Sequence, residues 1–383
     1  MMATQAPHRG SPTEAHRQPL WNKDTVRVLI CEYLTGGAMA GLPLLAPMAA
    51  QGFAMAVAAL RAFRACGCQT IVLHDPRVRP DALPADHHVS VEPGRFHRRL
   101  RETLGAVDAA LLIAPESGGV LAALTDEVDR AGVLSLGADA AAVRLAADKL
   151  RLMRVLAAAD VPVPRTVAVP LHAVPAAVRL VGLPAVVKPR TGAGGEGVGV
   201  LRRPTDLGPA LARLRRAVPG TGGCLVQEWI PGVPASVSLI ANGPEARPIT
   251  LNRQLVHGPV ALTYRGGIVP YRHRQRQAAF ARAAAACAAI PGLRGHVGVD
   301  VVLGPRGPVV IEVNPRWTTS CVGLERLLGG TLGAWILAAA HRGTVPGRAR
   351  VTGTAHLHLA ALQQQFARAC RGGKDPKRAG KGT

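Results

Sequence analysis

Residues 186–200 read VVKPRTGAGGEGVGV: an apolar run ending in a lysine, four glycines within six positions, and a return to valine. A glycine-dense backbone packs no core of its own, so flanking strands or a ligand must hold it. The string GAGGEG at 192–197 satisfies G-x-G-x-x-G, but that dinucleotide fingerprint requires a helix to follow, and VGVLRR continues as a strand. The phosphate loop ending in Gly-Lys-Ser/Thr is absent, because the lysine here precedes the glycines. The segment predicts a β-hairpin whose N–H groups fold over phosphates while Lys188 supplies a point charge. A bare surface hairpin is the competing reading.

Further along, GHVGVDVVLG (295–304) and PVVIEVNPR (308–316) predict an antiparallel pair turning at Pro305–Gly307. Alternation puts Glu312 and Asn314 on one face of the second strand, with Asp300 on the first. Two carboxylates and an amide oxygen on one face call for a cation, and Mg²⁺ accepts such ligands while sharing its other positions with substrate phosphates. Solvated acids on an exposed sheet face are the alternative.

The 383 residues are enough for two or three domains. TVRVLICEYL (25–34), QTIVLHD (69–75) and DAALLIAP (108–115) alternate with helical stretches, the rhythm of a parallel sheet covered by helices. This predicts a Rossmann-like α/β domain over 25–145. DKLRLMRVLAAADVPVP then offers Asp148 as the N-cap of a helix. The chain from 146 onward reads as α+β, divided into 146–225 with the glycine loop and 226–360 with the acidic pair. Polar residues 1–24 and basic, glycine-rich residues 361–383 read as disordered tails. The uncharged stretch 37–60 contains Pro43, Pro47 and Gly41 and reads as a loop plus a buried helix from about Gln51, not a membrane span.

The net charge of +22 admits a polyanionic partner or a small anionic substrate. Aromatic residues make up only 3%, leaving little to stack on bases, which argues against nucleic acid as the partner. Seven cysteines without a CxxC pair fit a reducing cytoplasm rather than a disulfide framework or a structural zinc. His257, His273 and His296 lack metal spacing and read as structural or solvent-facing, and Cys31 as a small buried residue. His356 and His358 share a face if 351–359 is a strand.

In order along the chain, these motifs resemble the ATP-grasp superfamily. Its first lysine looks like Lys149 and its second like Lys188, ahead of the loop glycines Gly192, Gly194, Gly195 and Gly197. Its adenine-contacting hinge resembles Gln227, Glu228, Trp229 and Ile230, and its magnesium motif resembles Asp300, Glu312 and Asn314. The resemblance implies a Rossmann-like N-terminal α/β domain followed by an α+β ATP-grasp fold, two subdomains clasping ATP and one or two Mg²⁺, with Mn²⁺ able to substitute. The acid that often holds the ribose falls near Pro234, and Gly298 stands where the D-alanine ligases carry arginine; Arg316 or Arg253 is left to neutralise the transition state.

Within the superfamily, EYLTGGAM (32–39), QGFAM (51–55), APESGG (114–119) and EVNPRWTTS (312–320) resemble the tyramine–glutamate ligase branch of methanofuran-type coenzyme synthesis. The implied activity is an ADP-forming carboxylate–amine ligation through an acyl phosphate, joining glutamate to tyramine. Arg253, Arg316 and Arg265 would hold the acid and the 33–55 segment the amine. A different acid and amine pair, or a nucleotide-binding or RNA-associated protein without ligase activity, are the alternatives. A homo-oligomer is left open.

Overall fold

A computed structural model describes residues 25–44, 46–192, 194–218, 223–347 and 350–370. Apolar runs rich in Val, Ile and Leu form the three central strands of the first sheet, whose five parallel strands are β1 (Arg27–Glu32), β2 (Gln69–His74), β3 (His87–Ser90), β4 (Ala109–Ile113) and β5 (Leu134–Ser135). Their order is β3-β2-β1-β4-β5, with parallel pairing throughout. Helices α1 (Ala46–Ala65), α2 (Phe96–Leu104), α3 (Val120–Arg130) and α4 (Ala140–Ala147) connect them. Strands this hydrophobic on both faces must be covered on both sides, and β1 is buried along all but its first residue.

Helix α1 begins at Ala46, five residues earlier than the sequence reading, because Pro47 in a first turn removes no helical hydrogen bond. It is long and apolar enough to cross a bilayer, but 72% of its apolar window is buried inside the protein.

A second layer contains α5 (Lys149–Ala158), β6 (Thr166–Pro170), α6 (Val174–Val181), β7 (Ala185–Pro189), β8 (Gly199–Leu201), α7 (Leu207–Ala217) and β9 (Gly223–Glu228). Its four strands run antiparallel in the order β6-β9-β7-β8 over a small separate core that includes Val187, Leu201, Leu214 and Val226. A boundary at 225 therefore falls inside β9, which stays hydrogen-bonded to β7 through Glu228.

The third layer is a six-stranded sheet of β10 (Val233–Asn242), β11 (Ala246–His257), β12 (Thr263–Val269), β13 (Arg294–Gly304), β14 (Gly307–Asn314) and β15 (Ala355–His358), in the order β14-β13-β10-β11-β12-β15. Helices α8 (Arg276–Ala288), α9 (Ser320–Leu328), α10 (Gly330–Arg342) and α11 (Leu359–Cys370) pack around it. The tail expected from 361 is corrected by α11, which runs on to Cys370. Leu362 and Phe366 are buried there, and the Phe366 ring meets Phe53 of α1 at 5.6 Å. The helix was missed because its apolar face is sparse and the basic run after it dominates the composition. The expected tails at 1–24 and 371–383 lie outside the described residues.

Candidate active site

Helix α5 starts where β7 ends. The Asp148 carboxylate accepts the Arg151 N–H at 3.2 Å as an N-cap and takes two hydrogen bonds from Arg190, at 2.8 and 2.5 Å. The Lys149 N–H donates to the Arg190 carbonyl at 3.1 Å, which docks the helix start on the strand exit. Both lysines are buried, Lys149 at 7% and Lys188 at 5% exposure. Lys149 Nζ donates to the Gly192 carbonyl at 2.6 Å and lies 2.8 Å from Glu312 Oε1, tying the glycine hairpin to the acidic strand. Burial draws the Lys188 ammonium down to about 8, Lys149 pushes in the same direction, and Glu312 and Asp300 oppose it.

Asp300 and Glu312 face each other across the β13–β14 pair, and a register shift after Asp300 leaves Ile311 as the extra residue. Burial and the Glu312 charge push the Asp300 carboxyl up to about 7, against hydrogen bonds from Asn314 and Gln254 and the charge of Arg316. The Gln254 amide donates to Asp300 Oδ1 at 3.0 Å. Burial also acts to raise Glu312, but Lys149 and Lys188 outweigh it and hold that carboxyl below its usual range. Glu312 is therefore matched to the lysines while Asp300 is buried beside a second acid, and this oxygen set with Asn314 fits a divalent cation. Among the described residues there is no cluster of three or more acids, histidines or cysteines that forms a metal site.

The glycine hairpin has the positive φ angles that only glycine adopts freely, 67° at Gly194, 76° at Gly195 and 70° at Gly197. At Gly197 the packing agrees, since a Cβ there would sit 2.6 Å from that of Ala217. The tip of the β11–β12 hairpin leans on this loop: the Val200 N–H donates to the Val260 carbonyl at 2.8 Å, and Arg202 donates to the Pro259 carbonyl. The predicted hinge spans the last two residues of β9 and the two that follow it. The Gln227 amide donates to the Thr166 hydroxyl at 2.7 Å, Glu228 Oε1 accepts from the Arg165 N–H at 3.1 Å, and the Arg202 guanidinium lies 5.3 Å from the centre of the Trp229 ring. Ile230 approaches Gly304 at the far end of β13.

Both candidate arginines line the cleft, with different partners. Arg316 is half-buried and donates through Nε to Glu116 Oε1 at 2.7 Å, so the 114–119 segment of the first domain holds it in the cleft. Arg253 of β11 also lines the cleft, with its guanidinium 5.7 Å from the centre of the Tyr271 ring. Tyr271 lines a separate cavity of about 700 Å³ beside α8. The expected acid ligand Arg265 is exposed and does not line the cleft. At Gly298 a Cβ would come within 2.8 Å of Thr318 Cγ2, so there is no room for the arginine of the D-alanine ligases.

None of the described histidines joins the cluster. His257, His356 and His358 are exposed, and His273 stacks on Tyr271 at 5.6 Å. His296 is 2% exposed with Nδ1 2.9 Å from the Arg316 carbonyl, and burial draws its imidazole down to about 4. The unfolded chain, with a histidine near 6.5, binds a proton that the fold rejects, so stability is present above about 6.5 and is lost as pH falls toward 4. That loss is expected to reach about 3 kcal/mol at pH 4. Urea titrations at pH 7 and pH 4.5 check it: His296→Gln should flatten the pH dependence relative to the parent chain, and parallel curves would contradict it.

Sequence reasoning missed two residues of this site. Glu116 lay within a motif already singled out, but its pairing with Arg316 spans 200 positions and two domains, and nothing local signals it. Gln254 was legible in principle, since period-two alternation places it on the opposite face of β11 from its neighbour Arg253. The cleft these groups enclose measures about 350 Å³ and is bounded by Gly194, Gly195, Gln254, Tyr264, Asp300, Glu312, Asn314 and Arg316.

Comparison with known proteins places this geometry. A pre-ATP-grasp domain family matches residues 68–143 and an ATP-grasp domain family matches residues 146–320. The tyramine–L-glutamate ligase of Methanocaldococcus jannaschii is 31% identical over 227 residues, 57% of this chain, and the chain spans 59% of that relative's length. An ATP-grasp superfamily protein from Archaeoglobus fulgidus superposes with a TM-score of 0.62 at 22% identity, covering 87% of this chain and 99% of its own. Biotin carboxylase from Campylobacter jejuni, solved as a beta-gamma-ATP complex, gives 0.67 at 17% identity over 86% of this chain and 75% of its own. Three layers in this order, two lysines meeting two acids under a glycine hairpin, and both family matches give the chain the ATP-grasp fold, with a pre-ATP-grasp domain ahead of an ATP-grasp domain.

Proposed function

We propose that the chain is an ADP-forming carboxylate–amine ligase that condenses glutamate with tyramine to a γ-glutamyl amide. The observation that carries the ligase reading is the meeting of Lys149 and Lys188 with Asp300, Glu312 and Asn314 at the mouth of a glycine hairpin. The choice of branch rests on the likeness to the archaeal tyramine–L-glutamate ligase. The site faces small molecules, and seven free cysteines suit a reducing cytoplasm.

Lys149 and Lys188 hold the phosphates of ATP, and the N–H groups of the hairpin close over them. Asp300, Glu312 and Asn314 would hold one or two Mg²⁺, with Mn²⁺ a candidate for the same oxygens; the bound cation supplies charge neutralisation at the phosphoryl oxygens. Arg316, oriented by Glu116, steers the substrate carboxylate toward the γ-phosphate and balances the charge that develops on it. The carboxylate oxygen attacks phosphorus, ADP leaves, and the neutral amine then displaces phosphate from the acyl phosphate while losing a proton. The β11–β12 tip resting on the hairpin keeps water from that intermediate.

ADP release should require ATP, glutamate and tyramine together, with glutamyl-tyramine seen by mass spectrometry. Arg316→Lys is expected to lower kcat/KM about tenfold to a hundredfold, since a point charge cannot reproduce the guanidinium fork. Abundant amide from another pair and none from this one would leave the ligase and remove the branch.

A further inference from the structure

A rung of side chains crosses four strands of the large sheet. Asn252 of β11 pairs with Ser236 of β10, Ser236 with Asp300 of β13, and Asp300 with Glu312 of β14. The charged end of this rung is the candidate cation site, and the other end is neutral. Asn252, Ser236 and Asp300 all line the cleft, together with Thr318 and Ser320.

Asn252 is 2% exposed, and its two amide hydrogens are committed: Nδ2 donates to Ser238 Oγ at 3.0 Å and to Ser236 Oγ at 3.5 Å. Ser238 continues to Ser320 at 3.0 Å, and Ser320 to Thr318 at 2.8 Å, which locks the amide in place. Its Oδ1 has no partner among the described residues. A buried acceptor left without a donor is costly, and Asn252 lines the cleft, so a donor group entering there would satisfy it.

Of the groups that an acid, an amine and ATP bring to such a reaction, an ammonium is the strongest donor. It cannot be the nucleophile, whose nitrogen must reach the reacting carbonyl beside Lys149, Lys188 and Asp300. Two interstrand gaps separate Asn252 from Asp300, about 10 Å between backbones. An ammonium one carbon from the reacting carboxylate would fall short of Asn252, whereas one several bonds away, as when an amino acid reacts through its side chain, spans the rung.

We infer that the Asn252 rung takes the α-ammonium of an amino-acid substrate and so directs activation to the side-chain carboxylate. This rests on the ligase reading above and adds a specificity determinant to it. The rung would select amino acids over dicarboxylates that lack the amino group.

Calorimetry on the full chain, with Mg²⁺ and a non-hydrolysable ATP analogue, tests it with L-glutamate against glutarate. The parent chain should bind glutamate at least about tenfold more tightly, the worth of a charge-assisted hydrogen bond. Asn252→Ala should collapse that ratio toward one, and the isosteric Asn252→Asp, which retains an acceptor, should preserve the preference. Thermal melts establish that both variants fold, and should the alanine variant fail, the parent ratio and the aspartate variant still decide. A parent ratio near one, an unchanged ratio in Asn252→Ala, a lost preference in Asn252→Asp, or no binding of either acid overturns the inference. ADP release with glutamate and tyramine is scored separately: a ratio that collapses without ADP release keeps the ammonium subsite and removes the ligase, and the converse removes only the subsite.

Discussion

Glu312→Gln and Asp300→Asn are each expected to reduce turnover about a thousandfold or more while the protein stays folded. Both changes keep the shape and remove a charge. Glu312 is the acid that Lys149 contacts at 2.8 Å and that most offsets the burial of Lys188. Asp300 lies directly across the strand pair, where burial first and the Glu312 charge second push its carboxyl up to about 7. Neutralising either acid would remove part of the charge that holds the proposed cation. Steady-state ADP release alongside circular dichroism checks this, and near-parental turnover in a folded variant would remove the metal assignment.

Lys188→Met gives the second large effect, and its sign differs between activity and stability. Burial disfavours the ammonium of Lys188 enough to draw it to about 8, so an apolar side chain of similar length relieves a desolvation cost. The fold should be as stable as the parent or more so. Its kcat/KM for ATP should fall about a hundredfold, because the lost contact is a charged group on phosphate inside a dry site. Chemical denaturation paired with ATP titration separates the two. A destabilised variant that keeps its ATP dependence would show that Lys188 is a structural residue.

The parts of this site that the sequence made legible are those in which chemistry and local pattern coincide. Lys188 ends a strand and precedes glycines, and Glu312 and Asn314 obey the two-residue period of a strand, so spacing alone brought them to one face. Helix α11 and the start of α1 were misjudged where composition masked periodicity or where a proline sat at a position that a helix tolerates. Arg253 was singled out by charge and lines the cleft, but its approach to the Tyr271 ring, eighteen residues on, was not legible from local pattern. Glu116 and the Asn252 rung needed three-dimensional packing, because one joins two domains and the other joins four strands.

The central claim is that a substrate carboxylate is activated by the γ-phosphate and then captured by an amine. The most direct measurement uses glutamate carrying heavy oxygen in its carboxylates, with ATP and tyramine, followed by mass spectrometry of the nucleotide and the released phosphate. Attack on the γ-phosphate followed by aminolysis leaves a glutamate oxygen on phosphorus, so labelled inorganic phosphate and unlabelled ADP are expected. Labelled AMP with pyrophosphate, or phosphate free of label, would contradict it.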